Sequence, residues 1–147
     1  VDYYPALVAA VTDYEGTGIG VHRIYLTSEG EKAPVEAAKK LLSGKALGGS
    51  SVKLGRVGSD LGIAEGIETA LAASMRFSVP VWSAINANLL EQWLPPKDVA
   101  HVVIFGDNDE SYTGQASSFV LARKLKNKGF SVSVRIPETV GTDWADK

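Results

Sequence analysis

Cysteine is absent from this 147-residue chain, and histidine occurs only at His22 and His101. The absence of cysteine excludes disulfides, thiolate nucleophiles and thiolate zinc sites, and two histidines argue against a histidine-based zinc site. No apolar run approaches a membrane span and no signal peptide opens the chain, so we expect a cytoplasmic protein without a membrane partner. Because the first residue is Val, we expect the chain to be a fragment of a longer protein.

The chain also lacks a strong excess of either charge. It has 15 basic and 17 acidic side chains, which give a formal net charge of −2. This balance argues against a large clustered basic face that grips nucleic-acid backbones regardless of sequence. Hydrophobic residues make up 45% and charged residues 22%, as in an ordinary globular protein with a core of its own.

Residues 1–58 are predicted to form a small β-rich subdomain made of a hairpin and a helix. The apolar run over residues 6–11 and the alternating pattern over residues 20–26 predict two strands joined by a glycine-containing turn. Pro34 and the apolar residues that follow it predict a helix over residues 34–42. Residues 52–54 are predicted to form a short strand.

Residues 59–147 show a different pattern, in which apolar strands alternate with amphipathic helices. This alternation predicts an α/β fold with a compact parallel sheet and flanking helices. The predicted strands cover residues 61–64, 79–85, 102–105 and 130–136, and the predicted helices cover residues 66–75, 88–94 and 114–128.

Two acidic clusters follow buried strands of this predicted sheet. Glu65 follows the first strand, and Asp107 and Asp109 follow the third. Functional sites in open α/β sheets lie beyond the carboxyl ends of the strands, where such carboxylates converge. Convergent carboxylates repel one another unless a proton or a cation lies between them, and Mg²⁺ prefers oxygen ligands. The pattern therefore predicts a divalent-metal site, in which Glu65 is either a third ligand or a general base.

Simpler interpretations of the same residues stay open. An Asp-x-Asp after a strand also serves as turn and cap chemistry, and Glu65 and Glu68 would suit a helix start without any further role. A calcium loop beginning at Asp107 is excluded, because its sixth position is Tyr112 and its twelfth is Ser118.

Four further residues are candidate accessories to this site. Glu68 and Asn108 lie inside the two clusters, and Asp143 would join them only if the carboxyl-terminal segment folds back. Arg56 is a candidate phosphate contact, with a solvated surface position as the alternative.

The motif of residues 65–69, Glu-Gly-Ile-Glu-Thr, followed by Gly-Asp-Asn-Asp at 106–109, resembles the toprim domain of bacterial-type primases, topoisomerases and related nucleases. The wider pattern resembles plasmid- and phage-borne primase-like proteins. It includes residues 20–26, 63–72, 80–82 and 141–146.

The resemblance implies a toprim fold and a catalytic site made of Glu65, Asp107 and Asp109. In the family these acids hold Mg²⁺ (or Mn²⁺), and the glutamate is assigned acid/base work. The implied activity is nucleotidyl transfer that makes RNA primers from nucleoside triphosphates on a single-stranded DNA template. A replicative helicase is a further candidate partner, and family primases usually carry an upstream zinc ribbon.

Three alternatives remain beside primer synthesis. The same acids could cleave phosphodiesters, as in toprim nucleases, or the domain could be a non-catalytic, metal-stabilised module that docks a helicase or a template. A haloacid-dehalogenase-like phosphatase is disfavoured, because its Asp-x-Asp motif opens its domain whereas Asp107 lies in the last third of this chain.

Overall fold

The computed structural model describes residues 2–42 and 48–146 of the chain. The amino-terminal part is an antiparallel sheet of three strands, β1 (Ala6–Thr12), β2 (Gly18–Tyr25) and β3 (Lys39–Leu42), in the order β1-β2-β3. β1 and β2 form the expected hairpin, with Ala6 opposite Tyr25 and Val11 opposite Gly20.

The helix predicted over residues 34–42 is wrong. Residues 34–38 form bends and turns, and residues 39–42 form strand β3, which pairs with β2 so that Lys40 lies opposite Arg23. A nine-residue helix is marginal by itself, and the free edge of β2 offers this segment a ladder of backbone hydrogen bonds. Tertiary pairing thus overrides local helix propensity.

The second part of the chain is the predicted α/β unit with a parallel sheet. Its four strands have the order β5-β4-β6-β7, and all neighbouring pairs are parallel. The predicted elements are all present, with ends shifted by a few residues. They are β4 (Asp60–Ala64), α1 (Ile67–Phe77), β5 (Val81–Ser83), α2 (Ala87–Gln92), β6 (His101–Phe105), α3 (Thr113–Asn127) and β7 (Ser131–Arg135).

Helices cover both faces of this sheet, and alternate residues of its central strands therefore pack into two different core clusters. Leu61 and Ile104 pack with Leu121 of α3, whereas Ala64 and Phe105 pack with α1. The central strands are therefore buried on both sides, as their continuous apolar runs indicate.

The two sheets share a core and backbone hydrogen bonds. Val11 and Ile24 of the first sheet pack with Val52 and with Ile67 of α1. Ser51 bridges to Thr12, and Val52 bridges to Ser83 at the edge of the second sheet. Residues 51–52 thus act as bridges between the sheets, and the strand predicted at 52–54 is reduced to these contacts. The domain division at 58/59 stays a prediction.

Within residues 2–42 and 48–146, no helix is long and apolar enough to cross a membrane.

Candidate metal centre

Glu65 and Asp107 lie at the carboxyl-terminal end of the parallel sheet. Glu65 directly follows β4, and Asp107 follows β6 after Gly106; β4 and β6 are neighbouring strands. Both line a cavity of about 500 Å³. The cavity has a strongly charged lining, which includes the acids Glu65, Glu68, Asp107, Asp143 and Asp146 and the bases Lys32 and Lys39. The expectation that carboxylates gather beyond the strand ends thus holds for Glu65 and Asp107.

The Glu65 backbone is held by the neighbouring strand β5. Its carbonyl oxygen accepts hydrogen bonds from the Ser83 hydroxyl and from the Ile85 backbone N–H, each at 2.8 Å. Ile85 lines the same cavity and has a φ of 78°, a strained conformation for a β-branched residue. Strain of this kind concentrates at functional sites, where the surrounding structure over-determines it.

Asp109 lies in the loop that precedes α3 and is not among the residues that line the cavity. Its Oδ2 accepts a hydrogen bond of 2.8 Å from the Gly114 backbone N–H. Its own backbone N–H donates to Gln115 Oε1, and Gln115 Nε2 donates back to the Asp109 carbonyl oxygen. Asp109 thus accepts a hydrogen bond from the first turn of α3, as the turn-and-cap interpretation of the Asp-x-Asp motif predicts. This hydrogen bond fixes the Asp109 carboxylate beside the cavity.

Gly114 allows this acidic loop to pack against α3. A Cβ atom on Gly114 would lie 2.7 Å from the Asp107 carbonyl oxygen and 2.9 Å from Asp109 Oδ2. Real Cβ atoms do not tolerate such distances, so any larger residue would displace the loop that carries both aspartates.

Asn108 ties the acidic loop to the carboxyl-terminal segment. Its Nδ2 donates to the Pro137 carbonyl oxygen at 2.7 Å, its backbone N–H donates to the Thr142 carbonyl oxygen, and its Oδ1 accepts from Gln115. This pairing folds the segment back, so that Asp143 lines the cavity and interacts electrostatically with Asp107.

The charges in the cavity repel one another in the absence of a cation. Burial, followed by the carboxylates of Glu65, Asp143 and Asp109, raises the pKa of Asp107 to about 7. Burial and Asp109 likewise raise the pKa of Glu65. Asp107 Oδ1 is buried and has no hydrogen-bond partner. An unpartnered anionic oxygen among like charges fits a bound cation, which would stabilise the ionised forms.

No group of three histidine, cysteine or acidic residues in the described part of the chain is arranged so that it could hold a metal ion. Mg²⁺ commonly takes one or two carboxylates and completes its octahedron with water and phosphate. The assignment of Glu65, Asp107 and Asp109 to one ion stays a prediction.

Lys39 is the cation that sequence reasoning missed at this site. It lies on β3, and its Nζ is 3.3 Å from Glu68 Oε2, with Lys32 Nζ 3.9 Å from the other oxygen. Burial would raise the pKa of Glu68, but a backbone hydrogen bond and Lys39 hold that pKa below its usual range. The charge of Lys39 also offsets part of the rise in the pKa values of Glu65 and Asp107. The wrong helix prediction concealed this role, because it is the pairing of β3 with β2 that brings Lys39 to Glu68.

Arg56 is exposed and is not among the residues that line the cavity. Ser83 and Gln115, which position Glu65 and the acidic loop, carry no motif that could have revealed them in the sequence.

Comparison with known families decides the classification. Residues 60–147, more than half of the chain, match the family model described as the Toprim domain. The chain belongs to the Toprim domain family. Residues 1–54 of this toprim protein match a family described as a domain of unknown function (DUF7146). No curated protein matches the sequence.

Solved primase structures share the toprim protein's fold. The DnaG catalytic core superposes with a TM-score of 0.66 at 12% identity over 95% of this chain. The DnaG primase catalytic domain bound to ssDNA superposes with a TM-score of 0.63 at 12% identity. A DNA primase domain from Pseudomonas aeruginosa superposes with a TM-score of 0.62 at 11% identity. Each alignment covers 95% of this chain. The chain covers only 47%, 47% and 45% of those three chains, respectively. The toprim and primase-core fold predicted from the sequence is confirmed.

Proposed function

We propose that this toprim protein is the catalytic part of a primase-like nucleotidyltransferase. It would join ribonucleoside triphosphates into RNA primers on a single-stranded DNA template with Mg²⁺ or Mn²⁺. The observation that carries the proposal is that Glu65 and Asp107 line the same cavity and that the buried Asp107 Oδ1 has no hydrogen-bond partner. The fold that places them there superposes on primase cores. One of those primase domains is bound to single-stranded DNA, which supports the choice of template.

Each acid has a separate position and therefore a separate proposed role. Asp107 supplies the unpartnered oxygen and would be the principal metal ligand. Asp109, fixed by α3, would hold its negative charge beside the cavity and complete the ligand set directly or through water. Burial and the Asp109 carboxylate raise the pKa of Glu65, which favours a role as the group that accepts and returns a proton.

A bound divalent ion would neutralise phosphate charge and orient the attacking and leaving oxygens. The chain's own residues prepare for this. Ser83 and Ile85 hold the Glu65 backbone through hydrogen bonds to its carbonyl oxygen. Gln115 and Gly114 hold the acidic loop, also through hydrogen bonds. Lys39 and Lys32 line the cavity and would supply positive charge for the phosphates of a nucleotide.

Primer synthesis by the longest natural form of this protein is the direct test. Asp109→Asn keeps an oxygen that can cap α3 but removes the charge, and Asp109→Ala removes both. We expect each to lower metal-dependent synthesis by at least about a hundredfold, the scale of losing one strong electrostatic stabiliser. Asp98→Asn, at an exposed aspartate outside the cavity, is the matched control. Full synthesis by the Asp109 variants would refute the assignment.

The same assay separates the rival activities. Metal-dependent cleavage of DNA without primer synthesis, lost in Asp107→Asn, would identify a toprim nuclease. Mg²⁺ binding without any effect of nucleotide, and without synthesis or cleavage, would identify a metal-stabilised docking module. Co-purification with a replicative helicase, with intact synthesis, would add the helicase as a partner of the enzyme.

A further inference from the structure

Among residues 2–42 and 48–146, no helix covers one face of the amino-terminal sheet. Its inner face packs on Val52 and Ile67, so the alternate residues of the strands point away from the rest of the molecule. We call these residues the outer face: Ala6, Val8, Ala10, Arg23, Tyr25 and Lys40. Val8 is 63% exposed, although it lies in the middle of β1. The apolar side chains of Ala6, Val8 and Ala10 are thus all exposed on this face.

The outer face combines an aromatic ring with two cations. Arg23 Cζ lies 5.5 Å and Lys40 Nζ lies 6.0 Å from the centroid of the Tyr25 ring. Arg23 Nε is buried without a hydrogen-bond partner, and neither Arg23 nor Lys40 forms an ion pair with a carboxylate in the described part of the chain. Both cations are therefore available to an anionic ligand.

The charge of this sheet is of one sign. Strands β1, β2 and β3 contain no acidic residue, and their charged side chains are Arg23, Lys39 and Lys40. The two consecutive lysines of β3 point to opposite faces of the sheet. Lys39 contacts Glu68 on the inner side, and Lys40 lies beside Tyr25 on the outer side. Ala6 lies opposite Tyr25 in the ladder, so the cross-strand neighbour of the Tyr25 ring on this face is a small side chain.

A cavity of about 420 Å³ lies at the Tyr25 end of the outer face. Tyr4, Tyr25, Val35 and the Lys40 side chain line it, and this volume lies within the ~300–1,000 Å³ range of small-ligand pockets. Asp2 and Glu36 also line it, and both belong to the segments that precede the strands. Their carboxylates would repel a phosphate at that rim, so the phosphates must lie on the side of Arg23 and Lys40.

We propose that the outer face is a binding platform for single-stranded nucleic acid, separate from the acidic cavity and independent of metal. A base stacks on Tyr25 or enters the adjoining cavity, and its phosphates contact Arg23 and Lys40. Aromatic rings flanked by cations bind single strands without sequence preference, because every base has a π-face and every nucleotide a charge. The proposal does not depend on the proposed catalytic activity.

Fluorescence anisotropy in EDTA tests the platform, with a fluorescein-labelled oligothymidylate of about twelve nucleotides, a length within known single-strand site sizes. We expect Tyr25→Ala to weaken binding about five- to hundredfold, as expected for one lost stacked base, and Tyr25→Phe to retain it. Lys40→Gln should weaken binding and lower the salt slope by about 0.7, whereas Lys97→Gln, at an exposed lysine elsewhere, should change neither.

Several outcomes would overturn the proposal. One is unchanged affinity in both Tyr25→Ala and Lys40→Glu, the latter being an exposed charge reversal that leaves the core intact. A second is loss of binding in Asp107→Asn in the presence of EDTA. A third is displacement of the oligonucleotide by polyglutamate together with equal affinity of Tyr25→Ala and the unsubstituted chain, which would mark a general polyanion surface. If Tyr25→Ala melts well below Tyr25→Phe, the Lys40 variants decide the matter.

Discussion

Asp107 is the side chain whose environment departs furthest from that of a solvated aspartate. It is partly buried, three carboxylates (Glu65, Asp143 and Asp109) interact with it unfavourably, and one of its oxygens has no hydrogen-bond partner. A group in this position destabilises the metal-free fold when it is ionised and gains stability from a cation. The proposed role of Asp107 as a metal ligand would therefore oppose the stability of the metal-free fold.

Asp107→Asn should stabilise the metal-free protein at high pH. The pKa of Asp107 rises from 3.8 to about 7 on folding, so its favourable contribution is complete below pH 4 and is lost as pH rises towards 7. After allowance for solvent screening, we expect Asp107→Asn to gain about 1–2 kcal/mol at pH 8 and almost nothing at pH 4. Melting temperatures in EDTA across this range measure it, with Asp98→Asn as the control. A pH-independent difference would contradict the expectation.

Lys39 sets the electrostatic balance of the same cavity from the other sheet. Because it interacts favourably with Glu65, Glu68 and Asp107, its charge partly replaces that of a metal ion. Lys39→Gln should therefore tighten Mn²⁺ binding about two- to fivefold, the scale of one exposed charge pair. Calorimetric titration measures the change. Lys40→Gln, the adjacent residue on the opposite face of β3, should leave Mn²⁺ affinity unchanged; equal effects of the two substitutions would argue against a local role for Lys39.

At the scale of elements, the start of α3 and the acidic loop form one unit. Asp109 Oδ2 accepts a hydrogen bond from the Gly114 N–H in the first turn of the helix. Gln115 Nε2 donates a hydrogen bond to the Asp109 carbonyl oxygen, and Gly114 allows the loop and the helix to pack closely. The helix amino terminus also supplies a positive partial charge that favours the Asp109 carboxylate. The position of both aspartates thus depends on how this helix begins.

Gly114→Ala should destabilise the protein although alanine is the better helix former. Propensity favours the substitution by about 1 kcal/mol, but the new methyl group would overlap Asp107 and Asp109. Overpacking of this kind costs about 1–3 kcal/mol, so we expect a net loss of stability together with weaker Mn²⁺ binding. Denaturant unfolding and calorimetry measure the two effects.

Gly18→Ala is the control for this prediction, because nothing lies within 4 Å of a Cβ atom at that position. If Gly114→Ala were as stable as the unsubstituted chain, the loop would have room that the structure does not show.

At the scale of the whole molecule, the antiparallel and parallel sheets are joined at a small shared core. Ile67 at the start of α1 is 2% exposed and packs with Val11, Ile24 and Val52. Only two residues after Glu65, it couples the packing of the sheets to the position of the acidic site.

Ile67→Ala should lower the free energy of unfolding by about 2–4 kcal/mol, the usual cost of truncating a buried isoleucine. If the shared core couples the sheets, the unfolding curve of the unsubstituted chain should remain a single transition. Met75→Ala on the same helix, at a side chain that is 84% exposed, should change stability by less than about 0.5 kcal/mol. Two separate transitions in the unsubstituted chain would show that the sheets unfold independently.

The sequence by itself determined the parallel sheet and the strand ends that carry the acids. Those strands are buried on both faces, so their apolar runs are continuous, and helices of regular period separate them. Glu65 and Asp107 follow parallel strands, whose carboxyl ends all lie at the same end of the sheet, so their common location could be expected from the sequence.

Only the tertiary structure decided what depends on partners distant in sequence. Residues 39–42 became a strand because β2 had a free edge, and this placed Lys39 in the acidic cavity and Lys40 beside Tyr25. Asp143 reached the cavity because Asn108 pairs with Thr142. Long-range backbone pairing is decided by which edges remain unpaired in the folded molecule, and no local pattern of residues encodes that.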